Sequence, residues 1–180
     1  MGKNLVPILI VVAIIVAGIF IVKYNGLVKQ EEAVEKAWAP LEGKLKERYA
    51  SVPRLISDVT AYVGRKPELA KELESDLNEV ENIGSISDAV DYANQVEVDL
   101  TKLIQWLKER YPGIISRHSI QMISNILSNT DAALGPEMKV FNESVTEYNS
   151  YARRFPTNIV AAVLLFPTSY QYFQPQSGTR

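Results

Sequence analysis

The chain has 180 residues, with 19 Lys and Arg against 21 Asp and Glu and a formal net charge of −2. That near-balance gives no electrostatic footprint for nucleic acid, and the lack of cysteine excludes structural disulfides and thiolate metal sites. The nine glycines are scattered, with no G-x-x-x-x-G-K or G-x-G-x-x-G loop to cradle a phosphate.

Residues 5–22, LVPILIVVAIIVAGIFIV, carry no charge and no strongly polar side chain. At about 1.5 Å per residue the run covers about 27 Å, close to a hydrocarbon core of about 30 Å. A small domain has no use for a helix that is apolar on every side, so the run reads as one transmembrane helix. A cleaved secretory signal is the rival reading. It would have a shorter apolar stretch and a small-x-small site, whereas this run ends Gly18-Ile19-Phe20-Ile21-Val22-Lys23-Tyr24. An uncleaved anchor is therefore expected. Lys23 and Tyr24 are membrane-interface candidates, a snorkelling cation and an aromatic ring. Lys3 and the α-amine precede the run while Lys23, Lys29 and Lys36 follow it, which leans toward a cytoplasmic location for the bulk of the chain.

Beyond the anchor, Leu27, Val34, Trp38, Leu41, Leu45, Val52, Leu55, Val59 and Val63 recur at helical steps. The anchor is expected to continue into this helix, kinked near Asn25-Gly26 and bent at Pro40 and Pro53 rather than divided in two. Gly64-Arg65-Lys66-Pro67 is a turn, and Pro67 starts a second helix carrying Leu69, Leu73, Leu77 and Val80. Asn82-Ile83-Gly84 ends it. Ser85-Ile86-Ser87-Asp88 reads as a capping box for a third helix, lined by Val90, Val96, Leu100, Leu103, Ile104 and Leu107 and stopped by Tyr111-Pro112-Gly113.

A fourth helical region is expected from Ile114 to Phe155, kinked at Gly135-Pro136. Its inner face is Ile120, Ile123, Leu127, Leu134, Met138, Phe141, Val145 and Tyr148. After Pro156 come eight apolar residues, Ile159 to Phe166, too few to span a bilayer. Four helices with short connections predict an all-α fold: the transmembrane helix continuing into an antiparallel up-down-up-down four-helix bundle. The expected division is an anchor over 1–23, a bundle over 24–166 and a flexible tail over 167–180. With an even helix count, Tyr24, Arg153-Arg154-Phe155 and Ile159–Phe166 should share the membrane-proximal end.

Tyr24-Asn25-Gly26-Leu27-Val28 after an N-terminal anchor, then Glu31-Glu32 and Ala37-Trp38, resembles the opening of the LemA family. Arg48 followed by Val52-Pro53-Arg54-Leu55-Ile56 resembles that family's R-x-x-L-I-P-N-L-V stretch, with Arg54 where the family commonly has Asn. Tyr111-Pro112 is similar to its Y-P-x-L turn. Phe141-Asn142-x-x-Val145-x-x-Tyr148-Asn149-x-x-x-Arg153-Arg154-Phe155-Pro156 resembles its C-terminal Y-N-x-x-V-x-x-Y-N-x-x-x-R-x-F-P motif, and Phe166 and Tyr172-Phe173 its aromatic ending. The resemblance implies a membrane-anchored helical bundle of a bacterial family, some of whose members are associated with intracellular membrane compartments. It implies no established chemistry.

The residues themselves offer little chemistry. His118 is the only histidine, and Ile stands at position 115, so no Glu-x-x-His motif of a di-iron bundle exists. Glu68, Glu72, Asp76 and Glu79 share one helix face, which could bind a divalent cation or a basic partner but reads first as a solvated face. No nucleophile stands in a recognisable triad context. No cofactor, no metal and no catalysis are expected. Arg153, Arg154 and Phe155 are further membrane-interface candidates, with the arginines at lipid phosphates. Ile159, Val160, Val163, Leu164, Leu165 and Phe166 would cap the bundle, dip into the interface or pack on another subunit. The expected partners are the lipid bilayer, further copies of the chain and a possible membrane protein, not nucleic acid. The preferred function is a non-enzymatic scaffold that self-associates and shapes or organises the membrane. The alternative is a tethered adaptor docking an envelope enzyme or sensor.

Overall fold

The structure, a computed structural model, describes residues 5–82 and 84–174, and among these it is all-helical with no strand. Lys3, Ile83 of the expected second turn and residues 175–180 of the expected tail lie outside the described residues. The helices are α1 (Leu5–Tyr49), α2 (Val52–Val63), α3 (Glu68–Asn82), α4 (Ile86–Arg110), α5 (Pro112–Ile115), α6 (His118–Ala152) and α7 (Thr157–Val163). Residues 5–36 and 143–170 form one compact unit; residues 37–142 and 171–174 form a second.

Helix α1 is long and apolar enough to cross a membrane. Its large apolar side chains from Ile8 to Val22 are exposed or nearly so around the whole circumference. From Leu27 onward the same helix turns amphipathic, and Leu27, Val34, Trp38, Leu41 and Leu45 are buried. Pro40 lies inside α1 on an exposed side, where water can satisfy the carbonyl it leaves unpaired.

The expected single bent helix is in fact two. α1 ends at Tyr49 and α2 begins at Val52, with Pro53 in the first turn of α2 where no donor is lost. The Ser51 hydroxyl donates to the Arg48 carbonyl at 3.1 Å, offering that group an alternative to the helical ladder. Gly64 ends α2 in the left-handed conformation (φ 79°), its N–H donating to the Thr60 carbonyl at 3.0 Å.

In the second unit α2 packs beside α3, α3 beside α4, and α4 beside α5. Pro67 immediately precedes α3, and its carbonyl accepts from the Ala70 and Lys71 amides. Ser85 is the N-cap of α4 with extended backbone, but its hydroxyl makes no capping bond, so the capping box forms in position only. The Tyr111 ring packs at a tilt against Trp106 (centroids 5.1 Å apart) and edge-on to Tyr62 (6.1 Å) at the turn into α5. The expected fourth helix is split by residues 116–117 into α5 and α6, and α6 ends at Ala152 rather than Phe155. It runs unbroken through Pro136. Val63, Leu69, Val80, Ile104 and Met138 are only half-buried; the remaining described core positions named from the sequence are buried.

Residues 167–174, expected at the head of a flexible tail, are packed chain. Tyr170 and Phe173 are buried, because each aromatic ring offers more apolar area than the Gln, Ser and Thr around it can outweigh.

Candidate functional site

The unit built from residues 5–36 and 143–170 contains the long apolar run of α1. A Cβ at Gly26 would lie 2.0 Å from the Tyr151 hydroxyl oxygen and 2.6 Å from the ring carbon bearing it. Glycine therefore serves close approach between α1 and α6, and α1 is continuous through it. The Lys23 ammonium sits 5.4 Å from the centroid of the same Tyr151 ring. Tyr24 meets Phe166 edge-on with centroids 5.8 Å apart. Lys23, Tyr24 and Phe166 are thus brought to one end of the unit, directly beyond the apolar run.

Of the other residues singled out there, Arg153, Arg154 and Phe155 are exposed, as are Ile159, Val163, Leu164 and Leu165. Val160 is fully buried on the inner side of α7, facing the protein's own interior. Phe166 is half-buried against Tyr24.

The same unit holds the start of the C-terminal segment by side-chain clasps. Asn149 donates from Nδ2 to the Tyr170 carbonyl at 2.9 Å and accepts the Tyr170 amide on Oδ1 at 2.8 Å. The Tyr148 hydroxyl donates to the Pro167 carbonyl at 2.7 Å, and the two tyrosine rings meet edge-on at 4.8 Å. The Tyr170 hydroxyl reaches Glu31 Oε1 at 3.4 Å. Burial, then the Tyr170 neighbour, pushes the Tyr148 phenol up; burial, then the Glu31 charge, does the same to Tyr170. Both stay protonated as donors. Glu31 is itself raised, by burial first and by Glu35, against the pull of the Tyr170 hydroxyl.

The second unit repeats the device. Asn142 donates to the Phe173 carbonyl at 2.9 Å and accepts its amide at 3.0 Å. Asn94 on α4 donates to the Tyr172 carbonyl and accepts the Gln174 amide, at 2.9 and 2.8 Å. Each asparagine gives the C-terminal segment one donor and one acceptor.

A buried ion pair ties α1, α4 and α6 together in that unit. Arg48 and Glu97 are 6% and 2% exposed and meet through two parallel bonds. Arg48 also donates to the Leu127 carbonyl at 2.6 Å and the Thr130 hydroxyl at 3.0 Å, and pairs with Asp131 at 2.7 Å. Burial opposes the guanidinium charge, but Glu97 and then Asp131 outweigh it and hold Arg48 charged.

An open acidic groove lies between α3 and α4, lined by Glu72, Ser75, Asp76, Gln95, Asp99 and Lys102. Burial, then sharing a proton with Asp99, pushes the Asp76 carboxyl up to about 6. Burial acts on Asp99 in the same direction, but bonds from Lys102 and Gln95 and the shared Asp76 proton bring it below the usual range. A carboxyl raised in a groove is the property acid–base chemistry needs. Here its partners are a second carboxylate and a lysine, with no nucleophile lining the groove beyond Ser75. Glu72 and Asp76 were visible as part of an acidic face; Asp99 was not. Among the described residues no group of three or more His, Asp or Glu is placed to hold a metal ion, and His118 is exposed at the first position of α6.

No curated protein matches the chain. The model of the LemA family matches residues 37–180, a region that includes the buried Arg48–Glu97 pair and all three asparagine clasps.

Proposed function

Because the chain belongs to the LemA family, which is not known as an enzyme family, we propose that it is a non-enzymatic, single-pass membrane protein that self-associates as a scaffold shaping or organising the membrane. Residues 1–23 are the anchor and the bulk of the chain is cytoplasmic. The helices after the anchor form an antiparallel up-down-up-down bundle; the neighbour relations of α2, α3 and α4 and the meeting of α1, α4 and α6 at Arg48 support this. Lys23, Arg153 and Arg154 lie at lipid phosphates, where each basic residue contributes about 1 kcal/mol near anionic lipid.

The observation that carries self-association is a stripe on the outer face of α6. Met122 (51% exposed), Ile126 and Val140 (51%), with exposed Ala133, fall within about 40° of one line along the helix. An apolar stripe of this kind on a domain held at a membrane, where lateral encounter is enforced, fits a second copy of the chain. The acidic groove of Asp76 and Asp99 favours a second reading, a tethered adaptor that docks a basic partner.

Disulfide trapping in membranes tests the first reading, since the chain has no cysteine of its own. With Ile126→Cys, mild oxidation should give covalent dimers, while Glu79→Cys on exposed α3 should not. Monomer from both variants, with a different protein co-purifying, would replace the scaffold by the adaptor.

A further inference from the structure

We propose that α7 and the residues flanking it form an interfacial element that seats Phe155, Ile159, Val163, Leu164 and Leu165 in the bilayer leaflet from which α1 emerges. This rests on α1 being the membrane anchor. The apolar run of α1 ends at Val22, and Tyr24 lies about 3 Å further along the axis. Phe166, just beyond α7, packs on the Tyr24 ring, and Tyr151, just before it, lies against Lys23 and over Gly26. The segment between is therefore held at the level where the anchor leaves the hydrocarbon.

From Phe155 to Tyr170 the sequence carries no charge, whereas Arg153 and Arg154 stand immediately before it. α7 buries Thr157, Val160 and Ala161. Its outer side shows Ile159, Ala162 and Val163 (61% exposed) beside Asn158, and the flanking Phe155 and Leu165 are 80% and 89% exposed. So much outward apolar area in one short stretch is unsuited to water. The Leu165 backbone makes the same point, since its φ of 59° places a non-glycine residue in the left-handed region. That conformation costs an L-residue about 1–2 kcal/mol, and here it turns a leucine outward, away from the protein. Acyl chains would receive that side chain, and headgroup phosphates would receive the two arginines.

The full-length chain in phosphatidylcholine–phosphatidylglycerol vesicles provides the test. Leu165→Cys, Val16→Cys in the anchor and Glu79→Cys on α3 each give a single attachment point for the environment-sensitive fluorophore NBD. The expected result is that lipids spin-labelled near the headgroup quench the label at 165 several-fold more than the label at 79, with aqueous iodide showing the reverse order. A label at 165 that iodide quenches as freely as the one at 79 would overturn the proposal. So would a label protected from both quenchers, which would place a second copy over α7. If the label at 16 also escapes lipid quenching, it is the anchor that has failed; if it is quenched and the one at 165 is not, only the seating of α7 has.

Discussion

The Arg48 guanidinium grips the Glu97 carboxylate with two parallel hydrogen bonds of 2.8 and 3.0 Å in a position almost closed to water. Removing one partner leaves the other charge buried and unpaired, which costs about 3–5 kcal/mol. Glu97→Ala should therefore lower the thermal midpoint of the solubilised chain far more than Asp131→Ala, whose carboxylate is 61% exposed and contributes under about 1 kcal/mol. Replacing both partners with apolar residues, Arg48→Met with Glu97→Leu, should cost less than Glu97→Ala alone. Circular dichroism melts check the order, and equal losses for Glu97→Ala and Asp131→Ala would contradict it.

Gly26→Ala sets two effects against each other. Alanine favours a helix by about 1 kcal/mol over glycine, but its methyl would land on the Tyr151 ring. Overpacking of this kind costs about 1–3 kcal/mol. The substitution is expected to destabilise the chain, and to become neutral or stabilising when Tyr151→Ala removes the ring. A double-mutant cycle in thermal unfolding reads the sign, and additive effects would show that the two residues do not meet.

Asparagine clasps make the C-terminal segment sensitive to single changes. Asn149→Ala leaves the buried Tyr170 amide and carbonyl without partners, at about 1–3 kcal/mol for each group left unsatisfied. Hydrogen exchange should quicken at residues 167–173 before it changes in α3 or α4. Unaltered protection at Tyr170 would refute the clasp.

Asp76 makes stability depend on pH. Its folded value of about 6 lies above the ordinary 3.8, so the native state holds the extra proton between those values. Stability contributed by this group is present in full below about pH 4 and falls as pH rises through about 6. Solvent at the partly open site limits the loss to the order of 1 kcal/mol. Asp76→Asn should remove the slope, so that the variant gains on the parent chain from pH 4 to pH 7. Parallel curves of denaturation midpoint against pH would contradict the shared proton.

Most of the helical architecture was legible because apolar residues recur at the helical period over long stretches, as from Leu27 to Val59. The nearness of residues 24 and 166 was legible in part: Tyr24 meets Phe166 and Lys23 lies over Tyr151, but Val160 faces inward, and an eight-residue apolar run does not reveal which of its sides is buried. The break at Ala50-Ser51 was hidden because Pro53 looks alike as a kink or as a first-turn residue. The docking of residues 167–174 was not legible from their Gln, Ser, Thr and Pro content, although Tyr170 and Phe173 are the kind of residue that docks.

Other polar groups left a signal that periodicity alone passes over. Glu97 stands on the buried stripe between Ala93 and Leu100, and Arg48 between Leu45 and Val52, so opposite charges at core positions marked a pair in advance. Asn142 and Asn149 are poor helix formers one heptad apart on the buried side of a long helix, which hinted at a task beyond helix formation. What each would grip depended on a segment distant in sequence.

The most direct measurement is the mass of the gently solubilised full-length protein by light scattering, followed by imaging of the particles. A scaffold predicts one uniform assembly of many copies, which Met122→Lys with Ile126→Lys should dissociate while the helix content stays the same. A uniform monomer with an intact anchor would contradict self-association and with it the scaffold.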